Sequence, residues 1–343
     1  MEAVSDVIEV SYTGDLLAHR RCPRAWAYEK HAGFVPYEQV QAMEGRLLHH
    51  AMEWMSRRYR EDGKLVKREQ LQEQLERFYR VLRSRGISTT FTTREKTLER
   101  IIGNLYRGKS LRSPVSAAIR GAEHTEYELR SVRKVLKTDF AGKSRILLTG
   151  IIDLVLQQQD PLTYRQVWKW DDVDALSGTR HPGREVAATG DREIWDIKGS
   201  KIETPYLIDY VRQVITYAAL FRERTGTLPR RCVLFFVNEK RDEDALLSIP
   251  LTPTVVDSGL RWTVEQVADL RRTLTSFEKD PAEVCGGTVL RRELPVGERV
   301  DEVLKAQCTG CAQRFDCVEY TTHLGSTPKR VKRDVSPYEV GKN

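Results

Sequence analysis

The stretch Ile194-Trp195-Asp196-Ile197-Lys198-Gly199-Ser200 is short and apolar, and it carries an acid and a lysine two residues apart. Residues alternate faces along a strand, so Asp196 and Lys198 share one face while Trp195 and Ile197 take the other. Alone, such a pair is most often a plain cross-strand salt bridge. The use that fits both charges is a place where a metal ion meets a phosphate, and the neighbouring segments decide between the two.

Upstream, Arg145 to Leu156 reads as a strand that is apolar on both faces except at Asp153, the pattern of a central strand in a covered sheet. A buried carboxylate there costs several kcal/mol unless an arginine or a metal ion compensates it. Glu126 to Val132 reads as another strand. The polar residues 157 to 192, with scattered Gly and Pro, read as a long loop or partial hairpin between the Asp153 and Asp196 strands, ordered locally by Trp168 and Trp170.

Downstream, Tyr206 to Phe221 is a strong helix ending near Gly226, and it stacks Gln213 and Tyr217 on one face. Arg231 to Val237 is a buried strand in which Cys232 is core packing. The Thr263-x-x-Gln266 spacing predicts a capped helix from about Thr263 to Phe277. Nearer the N-terminus, Cys22-Pro23 marks the start of a short helix, and Glu44 to Trp54 is helical with His49 and Glu53 on one face. Amphipathic helices are expected over Arg68 to Arg85 and Lys96 to Tyr106.

Across 343 residues, Lys and Arg exceed Asp and Glu by seven, a mild lean toward an acidic partner such as nucleic acid. No run approaches the roughly 18 to 20 apolar residues of a membrane helix, and the N-terminus lacks a signal-peptide pattern, so no membrane partner and a cytoplasmic location are expected. Six cysteines in that compartment read as metal ligands before disulfides. Cys308, Cys311 and Cys317 form C-x2-C-x5-C, and Cys22 and Cys285 are candidates for a fourth ligand; spacing alone does not separate zinc from an iron–sulfur cluster.

Taken in order, these segments resemble the PD-(D/E)XK nuclease superfamily, in its RecB-like iron–sulfur branch of CRISPR-adaptation exonucleases and AddB-type nuclease domains. Gly45-Arg46-Leu47-Leu48-His49 resembles the G-x-x-x-H motif, Gly150-Ile151-Ile152-Asp153 the G-x-x-D strand, Asp196-Ile197-Lys198 the D-x-K strand, and Gln213-x-x-x-Tyr217 the Q-x-x-x-Y helix. His50 leaves the histidine assignment open by one residue, with the spacing from Gly45 favouring His49.

The resemblance implies an α/β, restriction-endonuclease-like core with a central mixed sheet flanked by helices. His49, Asp153, Asp196 and the main chain of Ile197 would hold Mg²⁺ or Mn²⁺, with Glu126 as a weaker additional ligand. Lys198, Asp153 and Asp196 would be catalytic, and Gln213 and Tyr217 would position substrate. It also implies a 4Fe–4S cluster on Cys22, Cys308, Cys311 and Cys317 in place of zinc, stapling both ends of the chain.

The organisation expected is a first segment over 1–53, a helical insertion over 54–122, a nuclease core over 123–284, a cluster-binding segment over 285–321 and a basic tail over 322–343. The activity implied is metal-dependent, exonucleolytic hydrolysis of single-stranded DNA or DNA ends, in repair, recombination or CRISPR adaptation and with protein partners from those processes. The rival reading is a non-catalytic DNA-binding or scaffolding subunit, against which the acid-x-lysine set argues.

Overall fold

A computed structural model describes residues 7–32, 40–87, 93–134, 145–204 and 206–280, with Val284, Cys308 and Cys311. In chain order the elements are β1 (Val7–Ser11), a π-helical turn (Tyr12–Leu17), α1 (Ala18–Arg21), α2 (Pro23–Lys30), α3 (Val40–Asp62), α4 (Arg68–Ser84) and α5 (Arg94–Leu105). A small β2 (Tyr106–Arg107) and β3 (Ser110–Leu111) ladder and α6 (Ser113–Gly121) follow. The sheet strands are β4 (Ala122–Lys134), β5 (Arg145–Gln157), β6 (Leu162–Asp172), β7 (Ser177–Ala187) and β8 (Arg192–Lys198). The chain continues through α7 (Leu207–Thr225), β9 (Arg231–Phe236), β10 (Leu246–Pro250) and α8 (Pro253–Lys279).

Two compact units emerge. One comprises Met1–Leu17 with Tyr37–Arg271, the other Ala18–Pro36 with Arg272–Asn343. The first is organised on an eight-stranded mixed sheet of order β1-β5-β8-β9-β10-β6-β7, with β4 along the remaining edge of β5. Both apolar runs lie inside the sheet: β5 pairs with β4, β1 and β8, and β9 lies between β8 and β10 and is buried at every residue. Antiparallel pairing of Leu154 with Trp195 brings Asp153 beside Asp196. β8 and β9 are parallel neighbours joined by α7, the crossover that parallel strands require.

The alternation in β8 sorts its two faces. Trp195 and Ile197 pack into an apolar cluster that includes Leu47, Met52, Leu71 and Ile102 of α3, α4 and α5, and burying a side chain of this kind contributes about 1.5–3 kcal/mol. Asp196 and Lys198 face the other way, toward α7. That helix ends at Gly226, whose φ of 72° is left-handed and favours glycine.

Residues 157–192 are more ordered than a loop or partial hairpin. β6 and β7 form a full antiparallel hairpin, and β6 adds to the far side of the sheet by pairing in parallel with β10. A buried charge cluster fastens it. Arg231, 2% exposed, meets Glu185 of β7 at 3.1 Å, Glu193 of β8 at 3.1 Å and Asp191 at 2.9 Å. Glu193 also accepts from Tyr164 Oη at 2.6 Å, Gln158 Nε2 at 2.7 Å and Trp195 Nε1 at 2.7 Å.

The last helix begins earlier than the Thr263 capping box predicts. Thr252 accepts from Val255 N, and Pro253 takes the first helical position. Thr263 instead lies inside α8, where its hydroxyl donates to the Gly259 carbonyl at 2.8 Å.

In the second unit, Cys22 caps α2 by accepting from Ala25 N at 3.5 Å. Tyr28 packs edge-on against Phe277 at 4.8 Å, and Arg24 Nε donates to the Val284 carbonyl at 2.6 Å. His19 lies 2.8 Å from Thr273 Oγ1, and burial first, then neighbouring Arg20, depresses its pKa to about 4. Cys308 and Cys311 are half-buried and joined by a backbone turn, Cys311 N donating to Cys308 O at 3.1 Å. Cys285 and Cys317 lie outside the described residues.

Candidate active site

His49 stands on α3, whose apolar side, including Leu47, Leu48, Ala51 and Met52, is buried. Nδ1 lies 3.2 Å from Asp153 Oδ1 and 3.4 Å from Glu126 Oε1. These three residues each offer one ligand atom, all within 4.8 Å of one another, and they are the one such group among the described residues. The donor set, an imidazole nitrogen with two carboxylate oxygens, suits a divalent cation that accepts nitrogen and oxygen. His50, the neighbouring alternative, turns away: it stacks on Phe78 at 3.7 Å and lies 3.0 Å from Gln74 Nε2.

Glu126 is brought in by an unusual backbone. Its φ is +49°, and the pairing of β4 with β5 passes from Thr125↔Leu154 to Tyr127↔Ile152 on either side of it. A non-glycine residue in the left-handed region costs about 1–2 kcal/mol, and such residues collect at functional sites.

The electrostatics match a site that awaits a cation. The negative charge of Asp153 is the largest influence on His49, raising its pKa to about 11 against the opposing effect of burial. Burial pushes Asp153 up, but the His49 charge, a hydrogen bond from His49 and the N–H of Ile197 outweigh it and hold the carboxyl below its ordinary value. Ile197 N donates to Asp153 Oδ2 at 2.6 Å, leaving Oδ1 toward His49. Burial raises Asp196 to about 6 in spite of Lys198.

Lys198 is placed by three groups. Nζ lies 2.5 Å from Asp196 Oδ2, donates to Gln213 Oε1 at 2.8 Å and sits 4.3 Å above the centre of the Tyr210 ring. Gln213 Nε2 in turn donates to Tyr217 Oη at 2.9 Å and to Thr13 Oγ1 at 3.2 Å. Thr13 is presented by the Tyr12–Leu17 turn, which Tyr12 Oη fixes by donating to the Asp209 carbonyl at 2.9 Å. The Tyr217 ring explains Gly150: a Cβ there would meet it at 2.7 Å. Gly45 has no comparable neighbour, with nothing within 4 Å of its built Cβ.

The segment after Lys198 is tied from below. Asn238 Nδ2 donates to Gly199 O at 2.5 Å and Ile202 N donates to Glu239 Oε1 at 2.8 Å. Buried Arg112 holds that turn by donating to the carbonyls of Val237 and Glu239 at 2.7 and 2.8 Å.

A family model described as the PD-(D/E)XK nuclease superfamily matches this chain, and its span includes all three members of the cation group. Residues 14–170 match the PD-(D/E)XK nuclease superfamily. The match takes in just under half of the chain and stops before Asp196, Lys198, Gln213 and Tyr217, which join the matched residues through the sheet register and α7. The mixed sheet flanked by helices is consistent with a PD-(D/E)XK core. A comparison with curated proteins found no match. Among the described residues no helix is long and apolar enough to cross a membrane.

The structure thus brings together His49, Asp153, Asp196, Ile197, Lys198, Gln213, Tyr217 and Glu126. Cys22, Cys308 and Cys311 belong to the other compact unit, and among the described residues they form no three-ligand group within 4.8 Å. Thr13 and Tyr210 are additions that spacing did not reveal. Thr13 is 200 positions from its partner Gln213.

Proposed function

We propose that this chain is a Mg²⁺- or Mn²⁺-dependent deoxyribonuclease that hydrolyses phosphodiester bonds of single-stranded DNA or DNA ends, acting as an exonuclease of the RecB-like branch. The observation that carries this reading is the convergence of His49, Glu126 and Asp153 next to a lysine held by an acid on the adjacent strand. His49 Nδ1, Asp153 Oδ1, Glu126 Oε1, the Asp196 carboxylate and the Ile197 main chain would hold the ion. Once bound, a divalent ion supplies Lewis acidity toward the phosphate and an activated water.

The remaining chemistry belongs to side chains of this protein. Lys198 presents a fixed positive charge to the phosphate oxygens, where negative charge develops during attack. Gln213 and Tyr217 hold that ammonium in place and keep it from swinging into solvent. Asp196 shares its charge between Lys198 and the ion, and the Ile197 N–H fixes the rotamer of Asp153.

For the cysteines, a 4Fe–4S cluster on Cys22, Cys308, Cys311 and Cys317 is the finer part of the proposal. It is supported by the membership of Cys22, Cys308 and Cys311 in one compact unit and by the backbone turn between Cys308 and Cys311, with zinc as the alternative for the same thiol set. Anaerobic purification with visible absorption and iron, sulfide and zinc analysis separates the two: a brown, sulfide-containing protein supports the cluster, and a colourless zinc protein replaces it.

The central test is digestion of end-labelled single- and double-stranded DNA with added Mn²⁺ or Mg²⁺, run beside Lys198→Ala. Metal-dependent shortening from the ends by the wild type, lost in the variant, is expected. Equal activity in Lys198→Ala, or none in either protein with metal bound, overturns the reading. Repair, recombination and CRISPR adaptation are the settings in which such an activity would meet protein partners.

A further inference from the structure

A cavity of about 380 Å³ opens between the C-terminal half of α3 and the start of α4, away from the cation group. Trp54 and Leu65 reach it half-buried, each resting on the apolar core. Val66 adds a further apolar surface, and Lys64, Lys67, Gln70 and Gln74 supply polar groups.

The charges lining it are not equivalent. Arg58 is engaged by Glu61 and Asp62, and Arg77 pairs with Glu73. Lys64 and Lys67 are exposed, and among the described residues neither has a carboxylate partner. Two cations at the rim of an aromatic-walled pocket are the chemistry of an anion joined to a flat ring.

The two amides are half used. Gln70 Oε1 accepts from Lys67 N at 3.0 Å, which leaves its amide N–H groups. Gln74 Nε2 lies 3.0 Å from His50 Nε2, and because an amide nitrogen only donates, the ring nitrogen is the acceptor of that N–H. Gln74 Oε1 then remains as an acceptor. A donor and an acceptor beside an indole are what the edge of a nucleobase needs, and the volume falls in the range of small-ligand sites.

We infer that this cavity is a second, non-catalytic site for a nucleoside 5′-monophosphate unit, its base stacked on Trp54 and its phosphate met by Lys64 and Lys67. Trp54 follows His49 by five residues, about 7.5 Å along α3 and on a different side of the helix, so the site is separate from the cation group. The unit is either a free nucleotide or one nucleotide of a bound strand, and the strand form rests on the nuclease reading above.

The test uses the full chain without divalent metal, so that nothing is cleaved, and two fluorescently labelled probes: adenosine 5′-monophosphate and a single-stranded oligodeoxynucleotide. Stacking of a base on an aromatic ring is worth about 1–3 kcal/mol, so Trp54→Ala should weaken binding roughly 5- to 150-fold, while Trp54→Phe keeps most of it. Lys64→Gln with Lys67→Gln should weaken oligonucleotide binding and flatten its dependence on log salt by about 0.7, the contribution of the one phosphate that the two lysines meet.

Loss in both probes assigns a free-nucleotide site, and loss in the oligonucleotide alone assigns a strand contact. Unchanged affinity in Trp54→Ala and in the double lysine variant, both folded by circular dichroism, overturns the inference. The DNA digestion with Lys198→Ala is a separate measurement, so a failed pocket and a failed nuclease reading give different results.

Discussion

In the metal-free protein the position a cation would occupy is held by a proton. His49 carries it, with a pKa of about 11 because Asp153 and Glu126 favour the charged ring. A metal ion that takes Nδ1 must displace that proton, so the two compete. The sign is fixed: affinity rises with pH and is lost as pH falls.

Well below the His49 pKa, apparent affinity should change about tenfold per pH unit, or about 1.4 kcal/mol, and at pH 7 it should stand about four decades under its alkaline limit. Asp196, raised by burial to about 6, adds a second proton on the acid side. The slope of log affinity against pH should therefore steepen from about 1 toward 2 below about pH 6.

Mn²⁺ titration calorimetry in buffers of different ionisation enthalpy counts the released protons directly. Near neutral pH the wild type should release close to one proton per ion. In His49→Ala binding should be weaker and the release should fall toward zero. Tight Mn²⁺ binding by the wild type with no proton release, or the same release in His49→Ala, would refute the proton competition and with it the ligand role of His49.

Other expectations follow from single residues. Glu126→Gly removes a ligand but also relieves the left-handed φ of +49°, so it should be more stable than Glu126→Ala by about 1 kcal/mol, while both bind Mn²⁺ weakly. Equal melting temperatures for the two would argue against strain at this position. Gly150→Ala places a methyl group 2.7 Å from the Tyr217 ring; Tyr217 and Gln213 should shift, and DNA hydrolysis should drop at least tenfold with Mn²⁺ affinity little changed. An unaffected rate would mean that Tyr217 does not have to sit where it does. Arg231→Met strands Glu193, which is fully buried, and should cost about 3–5 kcal/mol in urea unfolding, whereas Arg231→Met with Glu193→Gln should recover part of the loss. Full stability of Arg231→Met would show that the cluster contributes nothing.

Much of this was legible because periodicity reports burial. The alternation around Asp196 predicted which face carries the charge, and the continuous apolar run of β9 marked a strand covered on both sides, whereas β5 is covered on both sides only over Ile152 to Leu156 and exposes Ile151. The hairpin was obscured for the same reason. β6 and β7 expose many residues, and their polar sequence looks like a loop because only a few apolar residues, Tyr164 and Ala187 among them, reach the core, and a cluster of charges around Arg231 adds to the tie. Glu126 stood out only weakly, since its aim depends on a local departure from strand geometry that leaves no mark in composition. The start of α8 was misjudged because Thr263-x-x-Gln266 imitates a cap, whereas Thr252-Pro253 supplies the real one. Thr13 and Tyr210 reach Lys198 and Gln213 only through the tertiary fold.

The excursion of β6 and β7 to the far side of the sheet has a bearing on when the proposed nuclease site can form. Between Asp153 and Asp196 the chain leaves the centre of the sheet, builds a hairpin at its edge and returns. Pairing of β5 with β8 therefore closes a long loop, and contacts of that kind form slowly because their entropic cost precedes their reward. On the nuclease reading, a chain whose β5–β8 pairing has not closed should therefore be inert, because Lys198 is not yet beside Asp153.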